Sequence, residues 1–191
     1  MLRAVAVAFL YISCVWPALG QTQETLLRAC YTCHGEQGVS KLTEVPHLGG
    51  QPSFFLVAQL FLFREGRRDN PAMTAAAKGL SNDDLRFLSD TIAKLPPPPP
   101  PAGRPDAAKA ARASAIIERR HCLQCHGADF DGHDNVPRVA HQREDYLRKA
   151  LRDYRDGRRI GYGNAAMAET VAGLADEDLA ALAHALAYWK R

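Results

Sequence analysis

Apolar residues recur along this chain at helical spacing, and no stretch alternates apolar and polar positions with the period of two that marks a half-buried strand. Residues 85–95 place Leu85, Leu88, Ile92 and Leu95 on one face. Ahead of them stands Ser81-Asn82-Asp83-Asp84, where Ser81 can cap and Asp84 faces the exposed N–H groups of the first turn. Residues 53–65 predict a helix stopped by Gly66, residues 24–29 a short helix, and residues 106–120 an Ala-rich one. Residues 35–50 are Gly-rich and irregular, and a loop carries Arg67, Arg68 and Met73. The pattern predicts an all-α protein.

The same order of features occurs twice. Pro46 pairs with Pro137, Gln51 with Gln142, Phe55 with Tyr146, Leu60 with Leu151 and Phe63 with Tyr154. Gly66-Arg67-Arg68 pairs with Gly157-Arg158-Arg159, Met73 with Met167, Gly79-Leu80 with Gly173-Leu174, and Asp84-Leu85 with Asp178-Leu179. A collinear repeat of this kind means two copies of one domain. Between the copies lie six consecutive prolines, residues 96–101, which block helix and sheet and favour a polyproline II rod. At about 3.1 Å per residue this rod would extend roughly 19 Å. The expected organisation is therefore a first domain at residues 21–95, a linker at 96–105 and a second domain at 106–191.

The two copies differ on one helix face. The helix with Tyr146, Leu147, Ala150, Leu151 and Tyr154 on its apolar side carries Asp145, Arg148 and Arg152 on the other. At those three charged positions the first copy has Phe54, Val57 and Phe61. A helix apolar on both faces needs a second burial partner, so these residues are candidates to dock another protein or an asymmetric part of the second domain.

The first twenty residues change the count of domains. Met1-Leu2-Arg3 is a short basic start, residues 4–15 an apolar run, and Ala18-Leu19-Gly20 a small-x-small cleavage site. This reads as a signal peptide over residues 1–20, with export to the periplasm and no transmembrane segment in the mature chain; an uncleaved anchor is the alternative, though the run is short to span a bilayer. The formal charge of +3 becomes 23 basic against 21 acidic residues once Arg3 is removed. So weak a balance supports neither nucleic acid nor an anionic membrane surface as partner.

Chemistry enters with the cysteines. Cys14 lies in the signal, and the other four form Cys30-Tyr31-Thr32-Cys33-His34 and Cys122-Leu123-Gln124-Cys125-His126. Both read C-x-x-C-H, the pattern of c-type haem attachment: two thiols three positions apart reach two vinyl groups of one porphyrin, and the next histidine lies beneath the iron. Cys30, Cys33, Cys122 and Cys125 would hold two covalent haem c groups, and His34 and His126 would ligate their iron. After Met1 the chain has two methionines, Met73 and Met167, one per copy at matching places, which makes them the candidate sixth ligands. His47, His133 and His141 compete, but none has a histidine at the same place in the other copy. Arg67, Arg68, Arg158, Arg159, Gln51, Gln142 and Tyr162 are candidates to bond haem propionates. A thioredoxin-like pair would expect a βαβ setting, and a four-cysteine zinc site would expect pairs much closer in sequence.

With these residues in view, the chain resembles the dihaem cytochrome c4 family. The match runs through Cys30-x-x-Cys33-His34-Gly35, Pro46-His47-Leu48-Gly49-Gly50-Gln51, Gln59-Leu60, Phe63-Arg64-Glu65-Gly66-Arg67, Met73 and Asp84-Leu85. The second copy departs at Val139-Ala140-His141-Gln142, where His141 stands in a glycine position. The resemblance implies two class I cytochrome c folds, a periplasmic location and single-electron delivery to a terminal oxidase or reductase. The alternatives are the cytochrome subunit of a larger dehydrogenase, such as a flavocytochrome sulfide dehydrogenase, and a small dihaem redox enzyme with one open iron.

Each copy holds only about 75 to 85 residues, small for a self-sufficient apolar core, so covalent haem would supply the missing centre. Protein produced without haem is expected to show far weaker helical circular dichroism than the haem-loaded form. Equal helicity in the two forms would contradict this.

Overall fold

The structure, a computed structural model, describes residues 22–159 and 165–190. The signal reading of residues 1–20, and Tyr162, lie outside the described residues. Among the described residues the secondary structure is helical, with one isolated bridge between His133 and Val136. No helix among them is long and apolar enough to cross a membrane.

The first half contains α1 (Gln23–His34), α2 (Ser53–Arg64), α3 (Pro71–Ala77) and α4 (Asn82–Ala93). The second contains α5 (Ala107–Arg119), α6 (Cys122–His126), α7 (Glu144–Arg155), α8 (Ala165–Val171) and α9 (Asp176–Ala187). In the first half α2 packs on α3 and α4, and α1 crosses α4; in the second α7 packs on α8 and α9, and α5 crosses α9. The repeat read from the sequence is thus a repeat of packing. Leu56, Leu62, Leu85, Leu88 and Ile92 fill the first core, and Ile116, Phe130, Leu147, Leu179 and Leu182 fill the second.

Local chemistry sets the helix starts. Ser81 and Asp84 form the reciprocal capping box expected of them. Asp106 opens α5 by accepting from the Ala108 and Lys109 N–H groups. Two elements differ from the sequence pattern. The first helix does not stop at residue 29 but continues through the motif to His34, whereas the second motif sits on a separate helix because His121 turns left-handed at φ +55°. Met73 lies on the short helix α3, not in a loop. Asn70 accepts its N–H at 3.0 Å and Pro71 occupies the first turn, a start signal made of only two residues.

The proline segment is not a free-standing rod. The Gly50 N–H donates to the Leu95 carbonyl at 2.9 Å, and a Cβ on Gly49 would lie 2.2 Å from the Pro96 oxygen. Pro98 is buried, and Pro99 and Pro101 line a cavity with His47, His141 and Tyr188. Tyr188 donates to the Ala102 carbonyl at 3.3 Å. At the far end, the Asp106 N–H donates to His184 Nε2 at 2.8 Å, which leaves Nδ1 to carry the ring proton toward Glu144 at 2.9 Å. His184 is therefore packed within the fold. The segment lies strapped against both halves.

The halves also meet directly, and equivalent residues of the repeat do the work. Arg68 and Arg159 both donate to Gln59 Oε1, at 2.6 and 3.1 Å. Each guanidinium stacks on an aromatic ring of its own half, Arg68 on Phe63 and Arg159 on Tyr154, both at 4.5 Å. Arg68 also donates to the Tyr146 hydroxyl at 3.1 Å. Burial pushes that hydroxyl up, but the two guanidiniums outweigh it and hold its pKa at about 8.

The contact of Gly49 with the strap has a direct consequence. Gly49→Ala should destabilise the protein by about 1–3 kcal/mol, because its Cβ meets a backbone oxygen that the prolines hold in place. Gly79→Ala, where a Cβ meets nothing within 4 Å, should be neutral or slightly stabilising. Thermal unfolding of the two variants separates these outcomes; equal shifts would contradict the strap packing.

Candidate haem sites

The last turn of α1 presents Cys30, Cys33 and His34 together, and α6 does the same for Cys122, Cys125 and His126. All four cysteines are free; Cys33 and Cys125 are exposed, while burial pushes the Cys30 and Cys122 thiols up. His34 and His126 are buried, at 6% and 7% exposure. Each directs Nδ1 at a proline carbonyl, His34 at Pro46 (2.9 Å) and His126 at Pro137 (3.0 Å). A carbonyl only accepts, so Nδ1 carries the proton and Nε2 keeps its lone pair for a metal. Burial holds both rings below the ordinary histidine pKa, against the opposing pull of the carbonyl bonds, and so favours the neutral ligand form.

Met73 on α3 and Met167 on α8 occupy equivalent places and are partly buried, Met167 against the second core. The competing histidines have other partners. His47 Nδ1 accepts from the Ser40 N–H at 2.9 Å, His141 Nε2 donates to the Trp189 carbonyl at 2.8 Å, and His133 lies exposed beside Asp134. His141 does occupy a glycine position. Its φ is +59° against +68° at Gly50, and its N–H bonds the Leu186 carbonyl as Gly50 bonds that of Leu95. The left-handed turn is kept without glycine, and the ring bond to Trp189 helps fix it.

Gln51 and Gln142, candidate propionate donors by sequence, bond backbone of the opposite half. Gln51 donates to the Arg138 carbonyl at 2.8 Å and accepts the Arg138 N–H at 3.1 Å. Gln142 donates to the His47 carbonyl at 2.8 Å and accepts the His47 N–H at 2.7 Å. Arg158 is paired with Asp153 and Asp156, and Arg68 with Gln59 and Tyr146. The pairing of Pro46 with Pro137 was visible in the repeat; their role as acceptors for the histidines was not.

The residues present fit a haem in each half. Each half offers two unpaired thiols three positions apart beside a neutral, oriented imidazole. In the second half, Arg120 Nε, Arg138 Nε, Arg159 Nε and Trp189 Nε1 are buried N–H donors with no partner among the described residues, suited to a carboxylate-bearing group. Cys30, Cys33 and His34 would hold one such group, and Cys122, Cys125 and His126 the other; bound there, it supplies one-electron chemistry. Among the described residues no three histidine, cysteine or acidic side chains form a group that could hold a metal ion by themselves.

Known proteins share this chain's sequence pattern and fold. The cytochrome c family profile matches residues 110–187. Two thiosulfate dehydrogenase electron acceptors are each 31% identical. That of Thiomonas intermedia aligns over 142 residues (70% of this chain, 65% of that one), and that of Stutzerimonas stutzeri over 164 (81% and 76%). Cytochrome c4 of Thiocapsa roseopersicina is 29% identical over 183 residues, 89% of this chain and 93% of that one. The chain belongs to the dihaem cytochrome c4 family. The fold agrees: reduced cytochrome c4 from Pseudomonas stutzeri superposes with a TM-score of 0.76 at 24% identity, covering 88% of this chain and 99% of that one. This cytochrome c4 relative is a dihaem c-type electron carrier with covalently bound haem c, an electron-transfer protein rather than an enzyme.

His47 gives the interface of this cytochrome a pH dependence. Burial, reinforced by the nearby Arg143 charge, holds its pKa at about 4. An unfolded histidine titrates near 6.5 on model values, so the fold favours the neutral ring. The stability it contributes is complete above about pH 6.5 and is lost as pH falls toward 4. Denaturant midpoints measured across this window should fall with pH, and His47→Gln should flatten that slope; an unchanged slope would contradict it.

Proposed function

We propose that this cytochrome is a periplasmic shuttle passing single electrons from a dehydrogenase to a terminal oxidase or reductase. Residues 21–95 and 106–191 form its two haem domains and residues 96–105 the strap, with residues 1–20 as signal. Cys30, Cys33, Cys122 and Cys125 attach the haems, and the axial pairs are His34 with Met73 and His126 with Met167. The observation that carries this reading is the proximal arrangement built twice, an imidazole oriented by a proline carbonyl beside two free thiols. Thioether opposite imidazole favours reduced iron and leaves no open position for a substrate, which suits a carrier.

The two relatives named as electron acceptors of thiosulfate dehydrogenase support a dehydrogenase of that kind as donor. Phe54, Val57 and Phe61 supply a docking face for it. Phe54 is 63% exposed, and the three residues line a groove of about 540 Å³ with Leu85, Arg86 and, from the second half, Asn135. Among the described residues the second half reaches this groove only at Asn135, which leaves most of that apolar face for a partner. The same face fits the second reading, a cytochrome subunit held permanently by a larger dehydrogenase, for which co-purification with a flavin or quinone-cofactor subunit is the discriminating observation.

Rapid-mixing reduction by a thiosulfate dehydrogenase tests the docking face. Phe54→Asp and Phe61→Asp should slow haem reduction about tenfold or more, corresponding to about 1.4 kcal/mol. The visible spectrum and melting temperature should be unchanged. Unaltered rates in well-folded variants would refute docking there.

A further inference from the structure

The hydrogen bonds that orient the two candidate axial histidines do not end at the prolines; they continue across the interface and exchange halves. His34 Nδ1–H donates to the Pro46 carbonyl, and the N–H of that same peptide group, which belongs to His47, donates to Gln142 Oε1 at 2.7 Å. His126 Nδ1–H donates to the Pro137 carbonyl, and the N–H of that peptide, which belongs to Arg138, donates to Gln51 Oε1 at 3.1 Å. Each buried glutamine, at 4–5% exposure, therefore holds the far side of the peptide that orients the other half's histidine. Both amides are completed by donation to the next carbonyl, of His47 or Arg138, which fixes which amide atom faces the N–H.

We propose that Gln142 and Gln51 are positioning residues that tune, in crossed fashion, the reduction potential of the haem in the opposite half. The inference rests on His34 and His126 being the axial ligands. A peptide that donates through its N–H becomes a better acceptor at its carbonyl, since hydrogen bonds in series polarise one another. A better acceptor draws the Nδ1 proton of the histidine, raises the basicity of its Nε2 and stabilises oxidised iron. Gln142 thereby lowers the potential of the haem at Cys30 and Cys33, and Gln51 that of the haem at Cys122 and Cys125. Separating the halves would remove both links, so docking of the halves and both potentials are coupled by this wiring.

The test uses the full-length, haem-loaded protein with Gln142→Met and Gln51→Met, which keep length and burial but remove the acceptor. The hyperfine-shifted haem methyl and proximal ring N–H signals, assigned through the thioether cysteines, are followed during redox titration. Gln142→Met should shift the reduced-to-oxidised ratio at fixed potential about two- to fourfold toward reduced, at the Cys30/Cys33 haem alone. Gln51→Met should do the same at the Cys122/Cys125 haem alone. Gln142→Glu keeps an acceptor oxygen, adds charge and should shift the Cys30/Cys33 haem toward oxidised. It covers the case in which the methionine variant fails to fold. A shift at the haem of the mutated residue's own half, equal shifts at both haems, or no shift would overturn the proposal; equal shifts would indicate a loosened interface. The parent protein measured alone separates failure of the ligand reading, because without histidine ligation its proximal ring N–H signals are missing.

Discussion

An imidazole that ligates a metal almost always has its second nitrogen held, and the two candidate ligands of this chain are both held in that way. His34 and His126 sit at the C-terminal ends of α1 and α6, buried, with Nδ1 on the carbonyls of Pro46 and Pro137. Proline at that place has no N–H of its own to satisfy, and its restricted φ narrows the conformations open to the segment that carries the carbonyl. The irregular segments after each motif are thus the pieces that carry the acceptor to the histidine. Burial alone would leave the ring free to choose either tautomer; the carbonyl chooses for it.

The same two peptides form the seam between the halves. The edge of a small domain exposes backbone N–H and C=O groups that need partners, and Gln51 and Gln142 satisfy them reciprocally. Arg68, Arg159 and Gln59 add hydrogen bonds across the seam, and Pro99 and Pro101 line a cavity with residues of both halves. Because equivalent residues meet, one set of repeat positions serves both ligand orientation and association of the halves. The face that escapes this symmetry is on α2, where Phe54, Val57 and Phe61 replace the charges of α7.

Much of this was legible in the sequence, for identifiable reasons. The two motifs, the two methionines and the collinear repeat declare the cofactor and the doubling, because covalent attachment demands fixed spacing. Helix α4 was legible because Ser81 and Asp84 cap it and its leucines keep one face. Helix α3 was not, since seven residues are too few to show a period and its start signal is only Asn70-Pro71. The backbone partners of the two glutamines were not legible, because those atoms lie about ninety residues away, which no local pattern reports. The seat of the proline segment was not legible either, because polyproline stiffness says nothing about what the rod lies against; Gly49 and Gly50 belong to another stretch of chain.

The most direct measurement is the long-wavelength methionine-to-iron(III) charge-transfer band of the oxidised protein, quantified against haem content. The account predicts two haems per chain and the full band for both, as two histidine–methionine sites require. A half-intensity band, or none, would mean that at least one iron carries a different ligand or an open position, and would contradict the paired carrier described here.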